Sequence, residues 1–270
     1  SIAYTDHGGN GPDLLLAHAT GFCSGVWQPM VPPLQEHFRV VSFDERGHGG
    51  SDPAPDGVYA WEGFATDALA VIDATGLDHP FGVGHSCGGA LLLLAEMRRP
   101  GVFNAIWAFE PIVFPVDEPI EDPTPNGNRL ANGARKRRAV FASRDEARAN
   151  YSSKPPLMWL DPRVLDGYIA CGLHDLPDGT VTLACAPEHE ARTYEMGGTH
   201  SAYRRLREVT CPVSLVCGAT TDATGPAVLP LLAERLVHSS IDVWDDHGHF
   251  GCLADPARTV ASILAAFDRD

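Results

Sequence analysis

The residues of this 270-residue chain that could do chemistry are a serine between glycines, two late histidines and two isolated acids. Ser86 stands in Gly84-His85-Ser86-Cys87-Gly88-Gly89, between the apolar runs Phe81-Gly82-Val83 and Ala90-Leu91-Leu92-Leu93-Leu94. This pattern predicts a strand, a sharp turn and a helix. The serine is strained at the turn, and glycines two positions on either side relieve the crowding of strand on helix. A serine there would also have free N–H groups and the helix dipole close to any developing negative charge. Without partners, the same pattern is only a glycine-rich strand-to-helix turn.

A nucleophilic serine needs a base in hydrogen-bond reach and an acid to orient that base. In a strand–elbow–helix arrangement the order along the chain is serine, acid, histidine. The late histidines lie in Asp245-Asp246-His247-Gly248-His249-Phe250. His249 is the expected base, because Gly248 permits a tight loop and Phe250 can anchor it; His247 is the alternative. The pair lacks the further nearby ligands that a metal site needs, so neither a metal nor any other cofactor is expected. For the acid, Asp222 follows the apolar run 213–217, and Glu110 ends the run Ile106-Trp107-Ala108-Phe109. A charge at the end of such a run is costly to bury without a partner, and a histidine that becomes cationic would supply one. The alternatives are an ordinary capping aspartate and a structural ion pair. Chemistry alone leaves both acids open. The loop His18-Ala19-Thr20-Gly21-Phe22 follows another apolar run, 13–17, which points to the N–H groups of Thr20 and Cys87 as oxyanion donors.

Elements that could position these residues alternate along the chain. Strands are expected near 13–17, 39–44, 81–84, 104–109, 213–217 and 241–245, with 1–6 as an edge strand. Helices are expected near 61–75, 87–98, 226–236 and 256–267. Such alternation predicts a parallel sheet covered by helices. It breaks between about 116 and 209. That segment opens with a proline-rich stretch, Pro115 to Pro125. The basic run Arg135-Lys136-Arg137-Arg138 follows, which reads as a solvated helix face. Helical pieces are expected near 145–151 and 162–173, then a turn at Pro177-Asp178-Gly179 and the short run 180–185. The whole reads as an inserted helical lid. Phe22, Trp27, Met158, Trp159 and Tyr168 are the expected lining of an apolar pocket.

Composition narrows the rest. The apolar fraction is 44%, enough for a sizeable core. Basic residues number 20 and acidic ones 35, a formal charge of −15, which argues against nucleic acid or a membrane surface as partner. The expected partner is a small-molecule substrate, on a monomer or homodimer. Seven irregularly spaced cysteines without a C-x-x-C pair suggest reduced thiols in a cytoplasmic protein. No signal-peptide pattern opens the sequence, and no apolar run reaches the ~18 to 20 residues of a membrane span.

With these motifs in order, the chain resembles the α/β-hydrolase superfamily over nearly its whole length. His18 to Phe22 is similar to its H-G-x loop, with Ala19 replacing the usual glycine. Asp44-Glu45-Arg46-Gly47-His48-Gly49-Gly50-Ser51-Asp52 resembles its structural D-x-R-G-x-G-x-S segment, Gly84 to Gly88 its nucleophile elbow, and Gly248-His249-Phe250 its catalytic histidine loop. The resemblance implies an α/β fold with a mostly parallel central sheet flanked by helices. Residues 1–115 and 210–270 would form the core, and 116–209 the lid. One branch, which includes the zearalenone lactonases, is similar in carrying its catalytic glutamate about two dozen residues past the serine. Here 110 − 86 = 24, and Thr221 stands where the usual aspartate would be. The resemblance therefore favours Glu110 over Asp222. It implies an esterase or lactonase acting through an acyl-enzyme on Ser86. A carbon–carbon bond hydrolase or perhydrolase would use the same triad, and a small-molecule receptor on the same fold is the non-enzymatic alternative.

Overall fold

The computed structural model describes residues 1–118 and 128–268. Pro119, Pro123 and Pro125 of the proline-rich stretch lie outside the described residues. The chain runs β1 (Tyr4–Gly8), β2 (Asp13–Ala17), α1 (Val31–Gln35), β3 (Arg39–Phe43), α2 (Trp61–Thr75), β4 (Phe81–His85), α3 (Cys87–Arg98) and β5 (Ile106–Phe109). An insertion follows, with α4 (Arg129–Arg135), β6 (Val140–Phe141), α5 (Arg144–Ser152), α6 (Pro162–Cys171), β7 (Leu173–Asp175), β8 (Val181–Leu183), α7 (Pro187–Glu195) and α8 (Ala202–Arg205). The chain then returns through β9 (Val213–Gly218), α9 (Leu229–Ala233), β10 (Ser239–Trp244), α10 (Gly251–Ala254) and α11 (Pro256–Phe267).

Seven of these strands form one sheet in the order β1-β3-β2-β4-β5-β9-β10. Only the edge strand β1 runs antiparallel, against β3; the other pairings are parallel. This is the α/β-hydrolase fold. Parallel strands are covered on both faces, so they are apolar throughout rather than alternating. In β2, Leu15 and Ala17 join one buried cluster while Leu14 and Leu16 join the other across the sheet. Helix α3 is buried from Cys87 to Met97, which explains its unbroken run of leucines.

Two differences from the sequence reading have simple causes. The helix expected at 226–236 is only Leu229–Ala233, with Pro230 in its first turn. Proline fits there because that N–H would be unpaired anyway. The insertion is not purely helical, since β6, β8 and β7 form a small antiparallel sheet. Strands of two or three residues are too short to show a period.

Two of the contacts that tie the insertion to the core show how closely they pack. The Trp61 indole N–H on α2 donates to the Thr193 carbonyl on α7 at 3.0 Å. Gly25 and Gly167 bring their backbones together, and a Cβ on Gly25 would sit 2.3 Å from the Gly167 carbonyl oxygen. Among the described residues, no helix is long and apolar enough to cross a membrane.

Candidate active site

Parallel strands end on one edge of the sheet, where open α/β folds bind their ligands. Ser86 follows β4, Glu110 follows β5, Thr20 lies just past β2, and His249 lies in the loop after β10.

The turn at Ser86 is as tight as its glycines predict. Ser86 has φ +57°, in the left-handed region. A Cβ on Gly84 would lie 2.6 Å from backbone atoms of Gly88 and Gly89, and one on Gly88 would lie 2.3 Å from the Ala17 carbonyl oxygen. Strand and helix can approach this closely only where both residues lack a side chain. The Ser86 N–H donates to the Phe109 carbonyl at 2.9 Å, which stitches the turn to the end of β5.

A continuous hydrogen-bond chain runs from Ser86 into the interior. His249 Nε2 lies 3.1 Å from Ser86 Oγ, and its Nδ1 lies 2.6 Å from Glu110 Oε2. Glu110 is fully buried, with φ +45°. Its Oε1 accepts from the Gly218 N–H at 2.9 Å, and its Oε2 also accepts from the Thr221 hydroxyl at 2.6 Å. These donors satisfy a carboxylate that would otherwise be costly to bury. Thr221, which interrupts the usual aspartate pattern, thus becomes a partner of the glutamate.

The alternatives lie elsewhere. Asp222 is exposed on the cavity wall and, among the described residues, makes no hydrogen bond to His249. It sits one residue beyond the position that faces Glu110, so its side chain turns to solvent. His247 directs Nδ1 to Asp246 at 2.8 Å rather than to Ser86.

Thr20 lines the cavity and Cys87 is the first residue of α3. Among the described residues, neither backbone N–H has a protein acceptor. Two buried histidines shape the Thr20 loop. His18 Nε2 accepts from the Glu45 N–H, and His48 Nε2 accepts from the Gly21 N–H, both at 3.0 Å. These roles require both rings neutral; burial drives the His48 pKa down to about 3 and lowers that of His18. Asp44 accepts from the Ser24 and Gly50 N–H groups, a structural role that fits its motif. A third histidine carries no recognisable signal in the sequence: buried His85 bonds through Nε2 to the His249 carbonyl at 2.8 Å, which holds the histidine loop.

A cavity of about 2010 Å³ opens over Ser86 and His249, and Phe22, Trp159 and Tyr168 line it. Two expected lining residues do not. Trp27 is 0% exposed inside the core, because α6 of the insertion covers the turn that carries it. Met158 points outward and is 45% exposed, outside the cavity wall. Both misplacements turn on tertiary packing, which local sequence does not encode. The basic run at 135–138 is also not a uniform solvated face. Arg137 is only 21% exposed and is paired with Glu190 at the cavity wall.

Glu45, inside the D-x-R-G motif, has no role that its sequence context suggests. It is fully buried, and no nitrogen or oxygen donor reaches its carboxyl among the described residues; the Cys87 thiol is its hydrogen-bonding neighbour. Burial pushes its pKa well above the ordinary range, the Cys87 thiol opposes this through a hydrogen bond, and the Asp67 and Asp44 carboxylates add a smaller push upward. The folded protein therefore holds Glu45 protonated, while the unfolded chain ionises above pH ~4.3. Its favourable contribution is complete below that pH and is lost as pH rises towards the folded pKa. Glu45→Gln should remove this loss. In urea titrations at pH 5 and pH 8, the variant should gain on the parent by up to about 1.4 kcal/mol per pH unit. Parallel pH profiles for the two proteins would contradict a neutral Glu45.

With the geometry established, comparison with known proteins defines the class. The family model described as "Alpha/beta hydrolase family" matches residues 14–262. The chain belongs to the alpha/beta hydrolase family. Among individual relatives, it is similar to 3-oxoadipate enol-lactonase 1 of Acinetobacter baylyi, 33% identical over 97 residues, 36% of either chain. It also matches "Probable oxidoreductase EphD" of Mycobacterium bovis, 26% identical over 95% of this chain and 46% of that one. The chain thus matches less than half the length of these curated relatives. Among solved structures, E-2-(acetamidomethylene)succinate hydrolase superposes with a TM-score of 0.85 at 22% identity, over 99% of this chain and 95% of that one. The enol-lactonase of Burkholderia xenovorans gives 0.74 at 20% identity, over 99% and 96%. At these identities the superpositions speak for the fold.

Proposed function

We propose that this protein hydrolyses a carboxylic ester or lactone of a hydrophobic small molecule through an acyl-enzyme on Ser86. The observation that carries the reading is the chain Glu110–His249–Ser86 at the floor of the cavity. In this mechanism Ser86 Oγ attacks the carbonyl carbon while His249 Nε2 takes its proton. Thr20 and Cys87 N–H groups hold the oxyanion that forms. The tetrahedral species collapses, the C–O bond breaks, and the leaving alkoxide takes the proton from His249. Water then attacks the acyl-enzyme by the same steps and releases the acid. Glu110 orients the ring and stabilises its cationic form.

Within the superfamily, Glu110 beside His249 supports the reading that this protein resembles the branch whose triad carries a glutamate. The insertion serves as the lid that shapes the pocket, and its Trp159 and Tyr168, with Phe22 of the core, supply apolar surface. The lactonase relative supports the same reading of the bond attacked.

The test is a screen of p-nitrophenyl acylates and lactones, combined with a fluorophosphonate that reacts with activated serines. Turnover should accompany a single phosphonyl adduct, located by peptide mass spectrometry at Ser86. No adduct at Ser86, or turnover that survives complete labelling, would sink the mechanism.

A further inference from the structure

The insertion places a polar cradle in the wall of the cavity that Ser86 also lines. Arg137 Nη2 donates to the Tyr168 hydroxyl at 2.8 Å and to the Tyr151 hydroxyl at 3.0 Å, while its Nη1 pairs with Glu190. Each phenol oxygen has thus accepted one hydrogen bond and still carries its own proton. Among the described residues neither proton has an acceptor. Tyr151 is 8% and Tyr168 3% exposed, and burial holds the Tyr168 hydroxyl protonated. Arg137 satisfies each oxygen, and each hydroxyl keeps one proton to offer to an acceptor in the cavity.

The cradle adjoins the loop beside the serine. A Cβ on Gly21, next to Thr20, would lie 2.7 Å from Glu190 Oε1 and 3.4 Å from Arg137 Nη1. The Tyr168 ring packs on Phe22 with centres 5.3 Å apart. The charge nearby is also informative. Glu190 balances Arg137, but Arg129 and Lys136 line the cavity with no acidic partner among the described residues. The Lys154 ammonium there meets the Asn150 amide oxygen at 2.7 Å. Against these three cations, only the Asp222 carboxylate on the cavity wall lacks a cationic partner among the described residues.

We propose that Arg137, Tyr151 and Tyr168 form a subsite for a carboxylate carried by the same molecule that Ser86 attacks. This rests on the hydrolase reading above and narrows it to an apolar chain ending in an anion. Two O–H groups polarised by a guanidinium give short, charge-assisted bonds to a carboxylate. An alkyl end at the same place would leave both protons unpaired, which is how a polar site rejects an apolar analogue.

The test compares mono-p-nitrophenyl adipate, pimelate and suberate with p-nitrophenyl alkanoates of matched length. At least one half-ester should exceed its alkyl match by tenfold or more in kcat/KM. Tyr168→Phe and Tyr151→Phe should each raise KM for the half-ester about tenfold and shrink its advantage over the matched alkyl ester. Equal wild-type rates for every pair, or a preference that survives both variants, would overturn the subsite while leaving the serine mechanism intact. Calorimetry on Ser86→Ala gives a readout independent of turnover: monomethyl suberate should bind at least tenfold more tightly than methyl octanoate, and Tyr168→Phe should abolish the difference. Equal binding would overturn the proposal even in the absence of any hydrolysis.

Discussion

Ser86→Ala is expected to lower kcat for a p-nitrophenyl acylate by about 10⁶-fold, the order found when the nucleophile of a serine protease is removed. The size follows from the geometry. Without Oγ, His249 has no hydroxyl to deprotonate at 3.1 Å, and no acyl-enzyme can form. The oxyanion donors and the cavity remain, so about 10³- to 10⁴-fold catalysis over water should survive. The fold should be untouched. Ser86 makes its turn through backbone bonds, from its own N–H to Phe109 and from Ala90 and Ile112 to its carbonyl. Alanine at φ +57° bears about the same strain as serine. The thermal midpoint should therefore stay within a few degrees while activity disappears. A variant with full activity would exclude Ser86 as nucleophile.

The next largest effect separates the two acids. Glu110→Gln should cost about 10⁴-fold in kcat, the order known for an amide replacing a triad acid. Three donors converge on the Glu110 carboxylate, from His249, Thr221 and the Gly218 N–H. Glutamine has one acceptor oxygen, so an NH₂ must face one of these donors. If it faces His249, the ring takes the wrong tautomer and Nε2 can no longer accept the serine proton. The unpaired contact should also lower stability by about 1–3 kcal/mol, read from urea unfolding. Asp222→Asn should leave kcat within about twofold, because its carboxylate is exposed and does not touch His249. The reverse ranking of the two variants would reassign the acid.

Much of this arrangement is legible in the order of residues. The elbow at Ser86 announces itself because glycine is required wherever two backbones come within van der Waals contact, and the flanking apolar runs name the strand and the helix. His249 is legible from its place after the last strand. Glu110 is legible only in part. A carboxylate closing an apolar run is an anomaly, but chemistry leaves it level with Asp222, and resemblance decides the preference. The insertion is the opaque region. Its short strands carry no period, and Arg137 reads as one of four basic residues until the fold shows which one turns inward.

The local order of residues was enough to determine the parallel sheet, the tight turn at Ser86 and the candidates for its partners. Backbone sterics and apolar runs act over a few residues, so they are written in the sequence. Tertiary structure alone decided that Thr221 donates to Glu110, that Trp27 is core, that Met158 faces outward, and that Glu45 is buried with only a thiol beside its carboxyl. Each of these depends on what residues tens to more than a hundred positions away, or a whole inserted segment, bring alongside. Desolvation and hydrogen-bond satisfaction are set by those distant neighbours, and no local pattern records them.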